Sequence, residues 1–507
     1  MENTFVKAFK EEENRTLTAN GANTYKSSLN ANLDFFGQAG AMRGQEQEYS
    51  KLFFKAFSED WKMAIKNIFY MRDIRNGVGE RQLFIDCFNE MCRQISDEQF
   101  AILLPFIPEY GRWSDVFDIM QSLDGKKYAI AIEFLKKQLK EDLDNIMAKK
   151  PISLMCKWFP LANNRHIVKE ILAARKLASN IFGNDKKCRK VIVSMRRYID
   201  VLEQKVSANE WGKIDYSTVP SLANLKYRSA FIKHDYDRFT KYIDSVNSGE
   251  AKINSSVSTP ADIIRKFING GYYRMAETIS EDEVRFLDTL WNNLKDYTNG
   301  SSSIAVVDIS GSMFGAYSKS APIPVSVSVS LGIYFAERNK SEFQNMMISF
   351  SDEPECKLIS GRNIAEKFYD VMSDDNLGYN TNLIGVFEAY LELAKKSKPE
   401  DCPKNIVIIS DMEFDTACAD GYEDTKATIF QKIDEMFQEA GIEKPNLIFW
   451  NVNASGKNVP VKRDEYGTVL VSGYSPAIFQ YVCDSKSTPE GFMIEVLSNY
   501  DKVVEKL

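Results

Sequence analysis

The sequence predicts a two-domain chain, in which a helical-repeat domain at residues 1–298 is followed by a doubly wound α/β domain at residues 299–507. Three observations predict this fold class. The chain has 507 residues, and domains of roughly 100–200 residues would divide it into two to four. Apolar residues recur at helical spacing through most of the first part. In the second part, short β-branched runs alternate with helical segments, which is typical of a mostly parallel sheet.

The first domain begins with about 50 polar residues that suggest an arm followed by a short apolar helix at Leu33–Met42. An apolar stripe containing Phe53 and Phe57 then opens a long helical region with turn-like breaks at Pro108–Gly111 and Gly183–Lys186. Further stripes occur at Leu83–Met91, Tyr128–Leu139, Ile167–Ile181 and Val191–Val206. Amphipathic helices with short breaks over this length predict a helical solenoid, although no strict sequence period is present.

The second domain alternates strands with helices after residue 298. The predicted strands are Ile304–Val307, Met346–Phe350, Lys357–Ile359, Asn405–Ile409, Leu447–Val452 and Val469–Val471. The predicted helices are Ile364–Met372, Leu383–Lys395 and Lys426–Ala440. Val325–Ser330 alternates like a strand, but its place between the first two parallel strands requires a crossover, so we predict a helix there.

Composition excludes several classes of protein. The longest weakly polar stretch, Val325–Ala336, is far shorter than the ~20 residues of a membrane helix. Acidic residues at 2 and 11–13 stand where a signal peptide would be apolar. The eight cysteines form no C-x-x-C pair, which favours a reducing compartment. We therefore expect no membrane span and a cytoplasmic protein, located in a host cytoplasm or a virion if its source is viral.

Charge is distributed unevenly along the chain. The formal net charge is −7, yet residues 151–200 contain 11 basic and 3 acidic residues. Residues 301–507 are acidic, with 19 basic and 31 acidic residues. A basic block of this kind points to a surface that binds nucleic acid.

A candidate metal site follows the first strand of the second domain. Asp308, Ser310 and Ser312 are spaced by two along a loop after that strand, so their oxygens can turn toward one point. Thr381 follows another predicted edge of the sheet, and Asp411 comes directly after the strand segment Asn405–Ser410. Hard oxygen ligands with little negative charge suit Mg²⁺ or Mn²⁺.

This arrangement closely resembles the metal-ion-dependent adhesion site of the von Willebrand factor A domain, whose D-x-S-x-S motif, distant threonine and distant aspartate are all present in order. The resemblance implies that Ser310, Ser312 and Thr381 contact the metal directly or through water, with Asp308 and Asp411 nearby. It also implies an open metal position for an acidic oxygen from a protein partner. The residue after the threonine, often acidic in that family, is Asn382 here.

The same motifs argue against catalysis. The chain has no G-x-S-x-G element of a serine hydrolase and no G-x-x-x-x-G-K-[ST] loop of a nucleotide hydrolase. An aspartyl phosphotransferase would need a D-x-D motif, but Asp308 is followed by Ile309 and Ser310. With only His166 and His234, a histidine-rich metal site is impossible. A metal-dependent nuclease would need a larger acidic cluster and a base. We therefore expect a binding protein that is not an enzyme.

Several polar and glycine-rich segments of the first domain, taken alone, suggest structural caps between adjacent repeats. Together they resemble the TROVE module of the Ro ribonucleoprotein family, and more closely an uncharacterised plant, viral and phage family with the same two-part layout. The matching segments are Leu33–Arg43, Arg72–Arg81, Tyr110–Trp113, Lys157–Pro160, Arg189–Asp200, Val219–Ala223, Tyr227–His234 and Leu470–Pro476.

The resemblance implies a ring of HEAT-like helical repeats closed within one chain, as a monomer, by the von Willebrand A domain. It also implies binding of small noncoding or misfolded RNA without catalysis. The basic block offers phosphate contacts, and His166 could stack on an unpaired base. The candidate RNA-binding residues are Arg165, His166, Lys169, Arg175, Lys176, Lys186, Lys187, Arg189, Lys190, Arg196 and Arg197.

Two alternatives stay open from the sequence. The chain could be a protein-interaction scaffold, structural or accessory in a virus or phage, whose metal grips a partner's carboxylate without any RNA. The basic block could also simply solvate the faces of its helices. Salt dependence and chelation separate these hypotheses, because RNA binding through the block should weaken with salt and survive removal of the metal.

Overall fold

The computed structural model describes residues 5, 9, 12–253, 258–268, 279–298, 302–315, 322–350, 354–373, 382–415, 428–454, 456, 458–482 and 486–507. The chain forms two compact units that interleave along the sequence. We call them the sheet unit, formed by Met1–Met71, Asn76–Val78 and Ser255–Asn499, and the helical unit, formed by Arg72–Arg75, Gly79–Asn254 and Tyr500–Leu507. The predicted division into domains at 1–298 and 299–507 follows the order of the sequence, whereas these units interleave, so that division stays a prediction.

The sheet unit opens with a small hairpin that the sequence analysis did not predict. Strands β1 (Arg15–Leu17) and β2 (Asn23–Tyr25) pair antiparallel, with Thr16 opposite Thr24. The Asn20-Gly21 pair lies in the loop between them, and this dipeptide is a strong short-range signal for a hairpin. Three helices follow, α1 (Ala31–Gln38), α2 (Glu46–Glu59) and α3 (Trp61–Arg72).

The helical unit contains the helices expected from the apolar stripes. In chain order they are α4 (Arg81–Met91), α5 (Asp97–Leu103), α6 (Phe106–Tyr110), α7 (Trp113–Ile119), α8 (Gly125–Met147), α9 (Met155–Trp158), α10 (Val168–Phe182), α11 (Asp185–Tyr198), α12 (Leu202–Ser207) and α13 (Ser221–Asn247). The predicted break at Pro108–Gly111 is mostly helical, because α6 continues to Tyr110 and the chain bends only at Gly111. The second predicted break is confirmed: Gly183 ends α10 at φ +80°, and Asn184 caps α11.

A buried ion pair fixes the first helices of this unit. Asp115 is fully buried and accepts hydrogen bonds from Arg72 Nε at 2.7 Å and Arg81 Nε at 2.8 Å. Arg72 is itself buried. Removing either partner of such a pair would leave an uncompensated charge in the interior, so these residues have the structural role expected of the segments between repeats.

The sheet unit resumes with helices α14 (Pro260–Ile264) and α15 (Glu281–Asn292) and then forms a six-stranded sheet. Its strands are β3 (Ser303–Asp308), β4 (Met346–Phe350), β5 (Cys356–Leu358), β6 (Asn405–Ser410), β7 (Asn446–Asn451) and β8 (Thr468–Ser472). The spatial order is β5-β4-β3-β6-β7-β8. All neighbours pair in parallel except β4 and β5, which form the predicted hairpin. The predicted fold class, helices followed by a mostly parallel α/β sheet, is confirmed.

Helices cover this sheet, and its central strands β3 and β6 are therefore buried along their whole length. They are α16 (Pro324–Arg338), α17 (Ile364–Met372), α18 (Leu383–Ala394), α19 (Ile429–Ala440) and α20 (Pro489–Ser498), and α21 (Asp501–Val504) follows in the helical unit. The helix predicted at Val325–Ser330 is confirmed as part of α16. Its buried serines donate to backbone carbonyls, as Ser328 Oγ does to the Asp308 carbonyl at 2.6 Å. Within the described residues, no helix combines the length and apolarity needed to cross a membrane.

Candidate metal centre and basic helical surface

The carboxyl ends of β3 and β6 form the candidate metal centre. The two strands pair in parallel with Val307 opposite Ile409, so Asp308 and Asp411 leave neighbouring strands at the same edge of the sheet. Ser310 immediately precedes a short 3₁₀ turn at Gly311–Phe314, and Ser312 lies within that turn. The structure thus brings four of the five predicted metal-site residues together. The fifth, Thr381, lies outside the described residues.

Hydrogen bonds fix the orientation of this group. Asp308 Oδ1 accepts from the Ser310 N–H at 2.9 Å, and its Oδ2 accepts from Ser410 Oγ at 2.5 Å. The hydroxyl oxygens of Ser310 and Ser312 are 3.2 Å apart. Asp411 Oδ1 accepts from the Glu413 N–H at 3.1 Å, while its buried Oδ2 has no hydrogen-bond partner among the described residues.

Burial and mutual repulsion define the electrostatics of the two aspartates. Burial raises the pKa of Asp308. It also raises the pKa of Asp411 to about 7, and the neighbouring charge of Asp308 adds to this shift. In both groups desolvation is the largest cause of the raised pKa, and it outweighs the hydrogen bonds that the carboxyl groups accept, such as those from Ser310 and Ser410 to Asp308.

These residues fit a hard divalent cation. Two hydroxyl oxygens and two carboxyl groups, one of them with the unpartnered buried oxygen Asp411 Oδ2, are the kind of ligands that Mg²⁺ and Mn²⁺ accept, with waters completing the coordination. Among the described residues no group of three or more His, Cys, Asp or Glu is placed to hold a metal, so any site here depends on its serine hydroxyls. Asn382 has a local role as the cap of α18, since its Oδ1 accepts from the Gly385 N–H at 2.9 Å.

The N-terminal hairpin is fastened to the segment that follows Asp411. Thr18 Oγ1 donates to the Phe414 carbonyl at 2.6 Å, and the Ala19 N–H donates to Glu413 Oε2 at 2.5 Å. Asn20 Nδ2 donates to the Glu413 carbonyl at 2.6 Å. Glu413 is a buried acid that was not among the predicted site residues. In the sequence, only its position two residues after Asp411 points to a place at this site.

The basic block of the sequence lies on α10, α11 and the turns beside them. Ten of the eleven predicted RNA-binding side chains are exposed to solvent. They are Arg165, His166, Lys169, Arg175, Lys176, Lys186, Lys187, Arg189, Lys190 and Arg197. Buried residues such as Leu177 and Ile192 alternate with them and anchor the two helices in the unit.

The remaining residue of the block, Arg196, has a different environment. It is half-buried, and its guanidinium donates to the carbonyls of Cys156, Lys157 and Phe159 at 2.8–3.1 Å. Its donors therefore fasten the end of α9 to α11. This arrangement indicates a structural role for Arg196, and sequence spacing alone could not separate it from its neighbour Arg197.

Aromatic neighbours distinguish the two histidines. His166 is exposed beside the basic residues. His234 stacks on Trp211 with ring centroids 4.6 Å apart and an interplanar angle of 6°. Within the block, the Lys176 ammonium lies 4.3 Å from the centroid of the Tyr128 ring, a cation–π contact.

Two family models match this chain. Residues 18–94 and 128–303 match a domain of unknown function (DUF2828), and residues 302–503 match a second domain of unknown function (DUF7788). The predicted resemblance to an uncharacterised family of two-part layout is confirmed by this pair of matches.

A viral relative and a solved structure complete the comparison. The chain is 28% identical over 525 residues to "Uncharacterized protein L728" of Acanthamoeba polyphaga mimivirus, covering 96% of this chain and 88% of the relative. The structure also aligns with the crystal structure of the Deinococcus radiodurans RO (RSR) protein. That alignment has 11% sequence identity and a TM-score of 0.37 over 92% of this chain and 93% of the other.

Proposed function

We propose that this protein binds small or misfolded RNA, without catalysis, on the basic surface of α10 and α11. The observation that carries the proposal is the exposure of ten basic or histidine side chains, eight on two adjacent helices and two, Arg165 and His166, just before them. Most of them have no carboxylate on the neighbouring turn of the helix, since residues 151–200 contain only three acidic residues. Such a surface neutralises phosphates and releases their counterions, which is the main source of affinity for nucleic acid.

The chemistry of this surface favours single-stranded RNA over duplex. His166 and the exposed ring of Tyr198 lie among the cations, and unpaired bases stack on side chains of this kind. All six cysteines that lie within the described residues are free thiols, which suits a protein that works in a reducing cytoplasm.

The test is crosslinking of the protein to RNA in its host or in a bacterial host, followed by sequencing of the recovered RNA. The variant changes Arg189, Lys190 and Arg197 to Glu and retains Arg196, whose guanidinium holds three carbonyls. We expect discrete RNAs with the wild type and their loss in the variant. Removing three phosphate contacts should also lower the slope of log affinity against log salt by roughly 2, at about 0.7 per contact for a single strand.

A matched control carries the same change of charge elsewhere. Lys395, Lys396 and Lys398 are exposed in the sheet unit, and changing all three to Glu should leave RNA binding and its salt slope unaltered. Equal loss of RNA in both variants, or no RNA above background with the wild type, would overturn the proposal. Cleavage of the bound RNA that Asp308→Ala abolishes would instead identify a nuclease.

We propose as a second function that the metal centre binds a carboxylate of a protein partner. The buried, unpartnered Asp411 Oδ2 and the paired serine hydroxyls support it. Ser310, Ser312 and the two aspartates would hold Mg²⁺ or Mn²⁺, which supplies an open position for an acidic oxygen. Chelation with EDTA should release such a partner while leaving RNA on the basic surface, and release of the RNA by EDTA would contradict this division of roles.

A further inference from the structure

A small cavity opens at one end of the basic surface, entirely within the helical unit. It has a volume of about 190 Å³ and lies between the end of α7, the start of α8 and the first half of α10. Pockets for drug-sized ligands usually have about 300–1,000 Å³. The cavity therefore suits one small ring system and is too small for an extended ligand.

Part of the cavity wall is apolar. Phe117, Met120 and Leu177 line it and are buried. Phe117 is held in place by an edge-to-face contact with Phe159, with ring centroids 5.3 Å apart. Unpaired nucleobases in RNA complexes stack on aromatic side chains, so this part of the wall suits the ring of a base.

The edge of the cavity offers hydrogen-bond acceptors. Asp118 and Glu170 both line it, and each carboxylate is half-exposed. Glu170 accepts from Arg165 at 3.5 Å, and Asp118 accepts from Gln121 Nε2 at 3.2 Å and also from the Arg81 guanidinium. An ionised carboxylate can accept about four hydrogen bonds, so both keep capacity for an amino group of a ligand.

Two cations stand at the rim. Arg165 and Lys176 line the same cavity, and Lys176 is positioned over the Tyr128 ring. A ring-sized cavity with a buried apolar wall, two carboxylates and two cations matches the base, the exocyclic amino group and the phosphate of one nucleotide. We propose that this cavity binds a single unpaired nucleobase that carries an amino group, adenine, guanine or cytosine, from RNA held on the basic surface.

This inference rests on the proposed function for its biological ligand, but the cavity can be tested without RNA. The four nucleoside 5′-monophosphates are titrated into the full chain by calorimetry and by saturation-transfer NMR. We expect AMP, GMP and CMP to bind and UMP, which lacks the amino group, to bind at least tenfold more weakly. Glu170→Gln removes one carboxylate without changing its shape and should reduce that preference.

Filling the cavity provides the decisive variant. Ala173 lines the cavity and is half-buried, so Ala173→Leu should weaken nucleotide binding at least tenfold. The matched control is Ala129→Leu, an exposed position on α8 outside the cavity, which should bind as the wild type does. Thermal unfolding of both variants confirms that they are folded. Nucleotide binding that is absent in the wild type, or unchanged in Ala173→Leu, would overturn the proposal.

Parallel titrations with single-stranded RNA separate this inference from the proposed function. Salt-dependent RNA binding without mononucleotide binding would contradict the cavity proposal and leave the proposed function standing. Mononucleotide binding that Ala173→Leu abolishes, with no binding of RNA, would support the cavity as a nucleotide site and overturn the proposed function.

Discussion

At the scale of single residues, the electrostatics of the candidate metal centre depend on the burial of its two carboxyl groups. Asp308 and Asp411 are buried together, and burial raises the pKa of both. A bound cation would relieve this repulsion, and its binding energy would add to the stability of the folded state.

Asp411→Asn removes one of the two like charges and keeps the shape of the side chain. We expect this variant to unfold at a higher temperature than the wild type in EDTA, because the repulsion is gone. The wild type should gain stability when Mg²⁺ is added, about 2.7 kcal/mol at 100 times Kd. The variant should lose that response, which thermal unfolding with and without Mg²⁺ measures.

The control is Asp401→Asn, an exposed carboxylate in a short 3₁₀ turn. It should respond to Mg²⁺ as the wild type does. An undiminished response in Asp411→Asn would mean that Mg²⁺ binds elsewhere.

The sequence indicated which side chains lie together at the candidate metal centre better than it indicated the individual roles within the basic block. D-x-S-x-S after a buried strand constrains where the side chains lie, because parallel strands end at one edge of a sheet. Arg196 and Arg197 are neighbours with the same chemistry, and only the fold determines which of them turns toward the carbonyls of Cys156 and Phe159. Glu413 was missed for the same reason, since its partners come from the far end of the chain.

At the scale of elements, the close approach of α16 to β3 sets the position of the loop that carries Ser310. A Cβ on Gly332 would collide with the side chain of Val307, the residue before Asp308. Glycine is therefore required here by packing, although it is a poor helix former.

Gly332→Ala separates these two effects. Helix propensity alone would stabilise the protein by about 1 kcal/mol, whereas overpacking costs about 1–3 kcal/mol. We expect a net loss of stability in denaturant unfolding, and recovery when Val307→Ala is added to make room. Gly212→Ala, where a Cβ meets nothing within 4 Å, should change stability by less than about 0.5 kcal/mol. A stabilised Gly332→Ala would show that the helix can move away from the strand.

Most elements could be predicted because their periodicity is strong and local. The strands β6 and β7 and the helix α17 lie within a residue or two of their predicted bounds. The hairpin β1–β2 could not be found in this way, since three-residue strands are too short to alternate convincingly. Its signal was the Asn20-Gly21 turn, which is a matter of backbone geometry and not of hydrophobic pattern.

At the scale of the whole molecule, the sheet unit is discontinuous in sequence. Helix α1 adjoins β8, where Ser472 Oγ donates to the Phe36 carbonyl at 2.9 Å. The Phe267 ring, in the turn after α14, stacks on Phe368 of α17 with centroids 5.5 Å apart. Long-range packing of this kind leaves no periodic signal, so the interleaving was not predicted.

A fragment of residues 299–507 tests this organisation. It contains every strand of the large sheet. It lacks the segments before position 299, such as α1, that pack on this sheet. We expect the fragment to aggregate when expressed alone and to become soluble when residues 1–298 are co-expressed. Residues 72–254, which lack those covering segments, should not restore solubility. A soluble fragment with a sharp thermal transition would show that the covering segments are dispensable.

The fastening of the N-terminal hairpin also has a consequence for biosynthesis. Thr18 and its partner Phe414 are separated by 396 positions, so the hairpin leaves the ribosome long before its binding surface exists. At about 5–20 residues per second, the interval is roughly 20 to 80 s. During that time the nascent strands have open edges in water, where an apolar strand would recruit other chains. Four of the six strand residues, Arg15, Thr16, Asn23 and Thr24, are polar, which lowers the risk of such recruitment.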